Sequence, residues 1–168
     1  MRQTKPAQPS RAPTRPSARG QRFVIIASEF HPTIARALVR GAAGALRRAG
    51  ASSADIRLLW VPGAFELPVA AARVAKSRPR PHAVIAVGTL IRGQTPQYEV
   101  IAHAVAQGLS QVAVTSAIPV TFGVIVASTL AQARARAGGA MGNRGEEAAL
   151  AALAVLRLFD RLNHSMVV

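Results

Sequence analysis

The sequence has few or no residues of several types, and each of these shortages excludes a class of protein or a kind of site. It has no cysteine, and only seven acidic and seven aromatic residues among 168. Without cysteine, a disulfide framework, a thiolate zinc site and a cysteine nucleophile are all excluded. No apolar run approaches the roughly 20 residues of a membrane-spanning helix, and the first residues lack the apolar core of a signal peptide. We therefore expect a cytoplasmic protein with no membrane partner.

The positive charge is large and unevenly distributed. The formal net charge is +14, and residues 1–22 contain six bases, four prolines and no acid. Such a segment cannot bury enough apolar surface to offset its ordering entropy, so it is predicted to be a disordered basic arm. Residues 23–168 are predicted to form a single domain. The arm has no aromatic residue for base stacking, which leaves two interpretations: a solubilising or assembly tail, or a segment that contacts nucleic acid.

Short apolar runs alternate with longer amphipathic segments from Phe23 onward. Strands are predicted at 23–27, 56–61, 83–91 and 120–126, and helices at 32–48, 65–76, 98–116, 129–137 and about 146–163, with a glycine-rich elbow at 138–145. The nearly continuous apolarity of the strands is typical of burial on both faces of a parallel sheet. Right-handed crossovers then give a three-layer α/β/α sandwich with a four-stranded, mainly parallel sheet, of the doubly wound, flavodoxin-like type.

Ligands of open parallel sheets bind beyond the carboxyl ends of the strands, and chemically useful residues follow three of the predicted strands. Phe30 and His31 follow the first, Phe65 and Glu66 the second, and the loop RGQTPQYE at 92–99 the third. Phe30 has little core to join there and suits stacking on a flat heterocycle. The loop amides before the next helix suit a phosphate, although the same pattern serves as an ordinary helix cap. Neither the dinucleotide-binding nor the P-loop glycine motif is present.

Four segments together resemble a known family. WVPGAFELP at 60–68, GTLIRGQTPQYE at 88–99, PVTFGV at 119–124 and RAGGAMGNRGEEAAL at 136–150 look like lumazine synthase (6,7-dimethyl-8-ribityllumazine synthase), and the resemblance covers about residues 22–163. It implies condensation of 5-amino-6-(D-ribitylamino)uracil with 3,4-dihydroxy-2-butanone 4-phosphate in riboflavin biosynthesis, with no metal and no organic cofactor. It also implies a cyclic homo-oligomer, either a pentamer or an icosahedral 60-mer built from pentamers, with sites between adjacent subunits.

Carried over by position, the resemblance assigns residues to each substrate. Phe30 would stack on the pyrimidine, and Glu66 would bind through its carboxylate. The full set for the pyrimidine and its ribityl chain is Phe30, Ala64, Phe65, Glu66, Thr89, Leu90 and Ile91, joined by Phe122 of the neighbouring subunit. The set for the phosphate is Gln94 and Thr95, joined by Arg136 from across the interface. Spacing alone does not distinguish Arg136 from Arg144, which flanks the same elbow.

The sequence departs from the family pattern where a proton is expected to move. Gln97 stands where the family has a histidine, and its amide can hold a water but cannot titrate near neutrality. His31 is the candidate substitute, although a surface histidine at the start of the first helix is the more ordinary interpretation. His103 lies about 240° around its helix from Gln97 and is expected to face elsewhere. We expect a slow enzyme; the alternative is a catalytically silent paralogue that binds a lumazine or flavin or forms a shell.

Overall fold

A computed structural model describes residues 17–165, and a parallel sheet lies at its centre. Strands β1 (Phe23–Ser28), β2 (Ile56–Val61), β3 (Ala83–Ile91) and β4 (Val120–Ala127) alternate with helices α1 (Pro32–Arg48), α2 (Leu67–Ala75) and α3 (Gln97–Ser116). Helix α4 (Leu130–Ala135), the short strands β5 (Ala137–Gly139) and β6 (Gly142–Asn143), and helix α5 (Arg144–Ser165) follow. The sheet order is β2-β1-β3-β4, and every neighbouring pair is parallel. The predicted fold class is confirmed.

The central strands β1 and β3 lie between two hydrophobic clusters, one on each face of the sheet. Phe23 and Ile25 of β1 pack with α1 and α5, whereas Val24 and Ile26 pack with α2 and α3. Each fully buried side chain of this size contributes about 1.5–3 kcal/mol to folding. This alternation explains why β1 and β3 have almost no polar residue: both of their faces are covered by helices.

The edge strand β2 does not follow the predicted pattern of burial on both faces. Leu58 and Trp60 are 38% and 40% exposed, because β2 pairs with β1 on one side only and lies at the end of the sheet. The prediction of full burial is therefore wrong for this strand, and also for β4 at the other end of the sheet, where Phe122 and Val126 are exposed. The apolar sequence of β2 leaves an unpartnered apolar edge on the single chain.

The glycine-rich elbow is a small β-hairpin rather than an irregular turn. It ends at Asn143, whose Oδ1 accepts hydrogen bonds from the amides of Gly145 (2.9 Å) and Glu146 (3.2 Å). The Nδ2 of Asn143 donates to the carbonyl of Ala37 at 3.0 Å. Any side chain on Gly145 would collide with the Leu38 carbonyl. Asn143 thus caps α5 and joins it to α1, so the helix begins two residues before the predicted position.

The predicted arm overlaps the described residues only at 17–22. Ala18 is fully buried, and its amide donates to the carbonyl of Ala49 at 2.9 Å. The amide of Arg22 donates to Nδ1 of His82 at 2.8 Å. These contacts hold Ala18 and Arg22 against the domain, and the rest of the predicted arm, residues 1–16, lies outside the described residues. Across 17–165, no helix is long and apolar enough to cross a membrane.

Candidate active site

A cavity of about 290 Å³ opens at the carboxyl edge of the sheet. The ends of β1 and β3, the turn after β2 and the start of α3 form its wall. The predicted site positions that line it are Phe30, His31, Ala64, Phe65, Thr89, Leu90, Ile91, Thr95 and Gln97. Glu66, Gln94, Phe122 and Arg136 do not line it in this chain.

The turn after β1 presents an aromatic ring to the cavity. Phe30 is 68% exposed and makes an edge contact with the His31 ring, with centroids 6.2 Å apart. His31 has φ 54° and ψ 65°, a left-handed conformation that histidine tolerates better than most side chains. Its carbonyl accepts from the amides of Ile34 (2.9 Å) and Ala35 (3.0 Å) to begin α1. His31 therefore has a conformational role, in addition to its place on the cavity wall.

The turn after β2 is fixed by a carboxylate. Residues Ala64–Glu66 form a single 3₁₀ turn, and Oε2 of Glu66 accepts the amide of Gly63 at 2.9 Å. Phe65 is left 61% exposed on the cavity wall. The Glu66 side chain lies instead in an adjoining depression, beside Val69. This turn is why α2 begins at Leu67 rather than at residue 65, and the bond to Gly63 is a structural role that the sequence did not indicate.

The end of β3 contains a buried hydroxyl without a partner. Thr89 lines the cavity and is 2% exposed, and its Oγ1 has no hydrogen-bond partner within the described part of the chain. A buried polar group left unpaired costs about 1–3 kcal/mol. A ligand with a polar group at this end of the cavity would remove that cost. The resemblance placed Thr89 in the pyrimidine set, and this unpaired hydroxyl is the polar group that the side chain offers there.

The loop before α3 and the first turns of that helix close the cavity. Thr95 and Gln97 line it, whereas Gln94 is exposed to solvent beside it. Ile101 also contributes to the wall. This residue was not predicted, although its position four residues after Gln97 puts the two side chains on one helix face.

Tyr98 is another lining residue, and it carries a perturbed phenol. Its hydroxyl donates to Oε1 of Glu99 at 2.7 Å. That hydrogen bond, with some burial and the nearby Glu99 charge, raises the pKa of Tyr98 above its ordinary value. Nδ1 of His103 lies 2.8 Å from the carbonyl of Glu99, and His103 does not line the cavity, as the helix geometry predicted.

The two residues that the resemblance assigns to a neighbouring subunit lie away from the cavity. Phe122 pairs with Ala86, whereas the cavity residue Thr89 pairs with Ile125. Phe122 precedes Ile125 by three residues on β4, so it lies about 10 Å along the strand from the level of Thr89, at 3.3 Å per residue. Arg136 is the C-cap residue that follows α4, and no side-chain hydrogen bond or ion pair engages its guanidinium among the described residues. A single chain therefore supplies only part of the predicted site.

Arg144, the other arginine beside the glycine-rich elbow, differs from Arg136 because its side chain is paired. The guanidinium of Arg144 pairs with Oε2 of Glu147 at 2.6 Å, so its charge is partly neutralised within the chain. Arg136 is the more available cation for a phosphate. Over residues 17–165, no group of three His, Asp or Glu side chains is arranged to hold a metal ion.

Comparisons with known proteins agree with the resemblance in the four motifs. The sequence model of the 6,7-dimethyl-8-ribityllumazine synthase family matches residues 20–160. The synthase of Gemmatimonas aurantiaca is 48% identical over 146 residues, which cover 87% of this chain and 88% of the relative. That of Aquifex aeolicus is 46% identical over 146 residues (87% and 94%), and that of Thermus thermophilus 40% over 147 residues (88% and 93%). The chain therefore belongs to the 6,7-dimethyl-8-ribityllumazine synthase family, transferases of riboflavin biosynthesis.

Proposed function

We propose that the chain condenses 5-amino-6-(D-ribitylamino)uracil with 3,4-dihydroxy-2-butanone 4-phosphate to form 6,7-dimethyl-8-ribityllumazine. The observation that carries the proposal is the convergence of Phe30, Phe65, Thr89 and Gln97 on one cavity in a member of this family. The 5-amino group joins the ketone as an imine, and a water leaves. Elimination of inorganic phosphate and closure of the second ring, with loss of another water, complete the product.

The pyrimidine binds against the exposed face of Phe30. Stacking of this kind contributes about 0.5–1.5 kcal/mol beyond the buried area, and it orients the ring toward the strand ends. The unpaired hydroxyl of Thr89 and the backbone of Leu90 and Ile91 then meet the polar edge of the ring. Glu66 binds the ribityl chain through Oε1, because Oε2 is already engaged by the amide of Gly63.

The phosphate of the second substrate binds at the start of α3. Thr95 lines the cavity there, Gln94 lies in the same loop, and the unpaired amides of a helix N-terminus attract an anion. Arg136 of the neighbouring subunit supplies the counter-charge that the single chain lacks on the cavity wall. A charge-assisted pair with a phosphate is stronger than a neutral hydrogen bond.

Position 97 lacks the titratable side chain that proton transfer is expected to need. Gln97 can position a water but cannot accept and release a proton near neutral pH, so we expect it to slow imine formation and phosphate loss. His31 is an ionisable side chain on the same wall. Orientation of two reactive substrates still contributes much of the acceleration, since effective molarities reach roughly 10⁵ M or more.

The position of Phe122 and Arg136 outside the cavity supports a head-to-tail ring in which each site is shared by two subunits. We infer a pentamer, and a 60-mer shell as its higher assembly. Mixing two impaired variants, Phe30→Ala and Arg136→Ala, each of which lacks one residue of the shared site, tests the sharing. After dissociation and reassembly of an equal mixture, about a quarter of the interfaces regain both native residues, so about a quarter of the activity should return. If both residues served the same subunit's site, mixing would restore nothing.

A catalytically silent relative is the second candidate, and Gln97 is the observation that favours it. Such a protein would keep the stacking ring and the phosphate loop, and so bind a lumazine or flavin, without turnover. Calorimetric titration with the product, together with a product-formation assay, separates the two functions. Binding with turnover indicates the enzyme, whereas binding with no product above the uncatalysed rate indicates the silent relative.

A further inference from the structure

A second concave surface lies at the amino edge of the sheet, opposite the candidate active site. Two adjoining cavities, of about 420 and 900 Å³, share Lys76, Ser77 and Arg78 in their walls. The start of β1 and β2, the end of α2 and the end of α3 form the rest. We call this surface the basic groove, and we propose that it binds the sugar-phosphate backbone of a nucleic acid.

The groove concentrates positive charge without neutralising it. Its cations are Arg57, Arg73, Lys76, Arg78 and Arg80. None of them forms an ion pair with a carboxylate across the described residues, and no acidic residue lines either cavity. Cations of one sign collected in a cleft focus the potential there and raise the local concentration of a polyanion.

The shape and lining of the groove favour a nucleic acid over a membrane. Its floor consists of buried or half-buried aliphatic residues such as Val24, Leu59 and Val74, so no large exposed apolar side chain projects from it for insertion into lipid. It also has no aromatic residue. Contacts would therefore go to phosphates rather than to stacked bases, which predicts binding without sequence preference.

Arg22 adds a further cation beside the same groove. The guanidinium of Arg22 donates to the carbonyl of Arg80 at 3.0 Å, and that of Arg80 donates to the carbonyl of Ser116. These two bonds hold Arg22 and Arg80 at the amino edge. A metabolite with a single phosphate would leave most of the groove cations unpaired. A nucleic acid carries a series of phosphates and can contact several of these cations at once.

The test measures how the affinity of the full chain for short labelled duplexes of DNA and RNA depends on salt. The variant Lys76→Gln/Arg78→Gln removes the two cations that line both cavities. Its matched control, Arg36→Gln/Arg40→Gln, removes two exposed cations from α1 outside the groove. Each lost phosphate contact makes the slope of log Kd against log salt shallower by about 0.9, so the groove variant should change the slope by about 1.8, or about 12-fold in affinity between 50 and 200 mM salt.

The control variant should keep the slope of the full chain. A second pair, Arg57→Gln/Arg73→Gln, should repeat the effect of the first and guards against a local disturbance in one variant. Equal slopes for the full chain and both groove variants would overturn the proposal, as would an equal change in the control, which would indicate net charge alone. Binding to phosphatidylserine vesicles that needs the groove, with no binding to either duplex, would also overturn it. Lumazine formation should be the same in all these variants.

Discussion

Replacing Gln97 by histidine is expected to raise kcat by about tenfold to a hundredfold. The side chain lines the cavity at the first residue of α3, so an imidazole there would reach a bound substrate. A positioned general acid or base contributes about 10²–10⁴ in rate, which corresponds to about 3–5 kcal/mol at 1.36 kcal/mol per decade. We expect the lower part of this range or below, because no side-chain hydrogen bond among the described residues holds the present Gln97 in place.

The pH dependence makes this prediction specific. The variant should acquire a limb in its kcat profile near the ordinary histidine pKa of about 6.5, and the KM for the pyrimidine should change little, because the interaction belongs to the transition state. Steady-state assays between about pH 5 and 9 measure both. The control is Gln107→His, the same replacement at an exposed position of α3 outside the cavity. No gain in kcat and no new limb in the Gln97 variant, or an equal gain in the control, would show that a missing proton relay at position 97 does not limit the rate.

Three further predictions concern the phosphate, the α1–α5 junction and the Tyr98 phenol. Arg136→Ala should raise the KM for the butanone phosphate at least about tenfold, since a charged hydrogen bond contributes about 1.5–3 kcal/mol; a larger effect of Arg144→Ala would reverse the assignment. Asn143→Ala should lower the free energy of unfolding in urea by about 1–3 kcal/mol through loss of the α5 cap and the bond to Ala37, and a loss no larger than that of exposed Asn163→Ala would contradict this role. Tyr98 is the single tyrosine, so phenolate absorbance reports it alone. Its pKa should lie above 10 and fall in Glu99→Gln; an unchanged pKa would show that the hydrogen bond does not form.

The positions of the strands could be predicted from the sequence because strands that are buried on both faces have nearly continuous apolar runs. The central strands β1 and β3 are covered on both faces, so their apolar runs coincide with their observed positions. The edge strand β2 has a similar apolar run, but its side chains are more exposed because the strand lies at the end of the sheet. The position of a strand in the sheet order cannot be predicted from its local sequence. The hairpin of β5 and β6 was missed because it is too short for a periodic signal and depends on the side-chain bonds of Asn143.

The place of the candidate site was predictable, but the orientation of its side chains was not. Parallel strands bring their carboxyl ends to one edge, which gathers Phe30, Thr89 and Gln97 from distant parts of the sequence. The direction of the Glu66 carboxylate depends on the turn that it closes with Gly63. The contribution of Ile101 follows from helical spacing and was available in the sequence, whereas the Tyr98 hydrogen bond depends on rotamers.

The most direct test of the proposed function follows both products of the reaction with the purified full chain. Lumazine and inorganic phosphate are quantified over time with both substrates present, beside an enzyme-free blank and the Phe30→Ala variant. Lumazine is expected to appear faster than in the blank, with inorganic phosphate in equal amount, and Phe30→Ala should lower both rates together. Tight binding of the pyrimidine with neither product formed above the blank would rule out the proposed enzymatic function and assign the chain to a silent branch of its family.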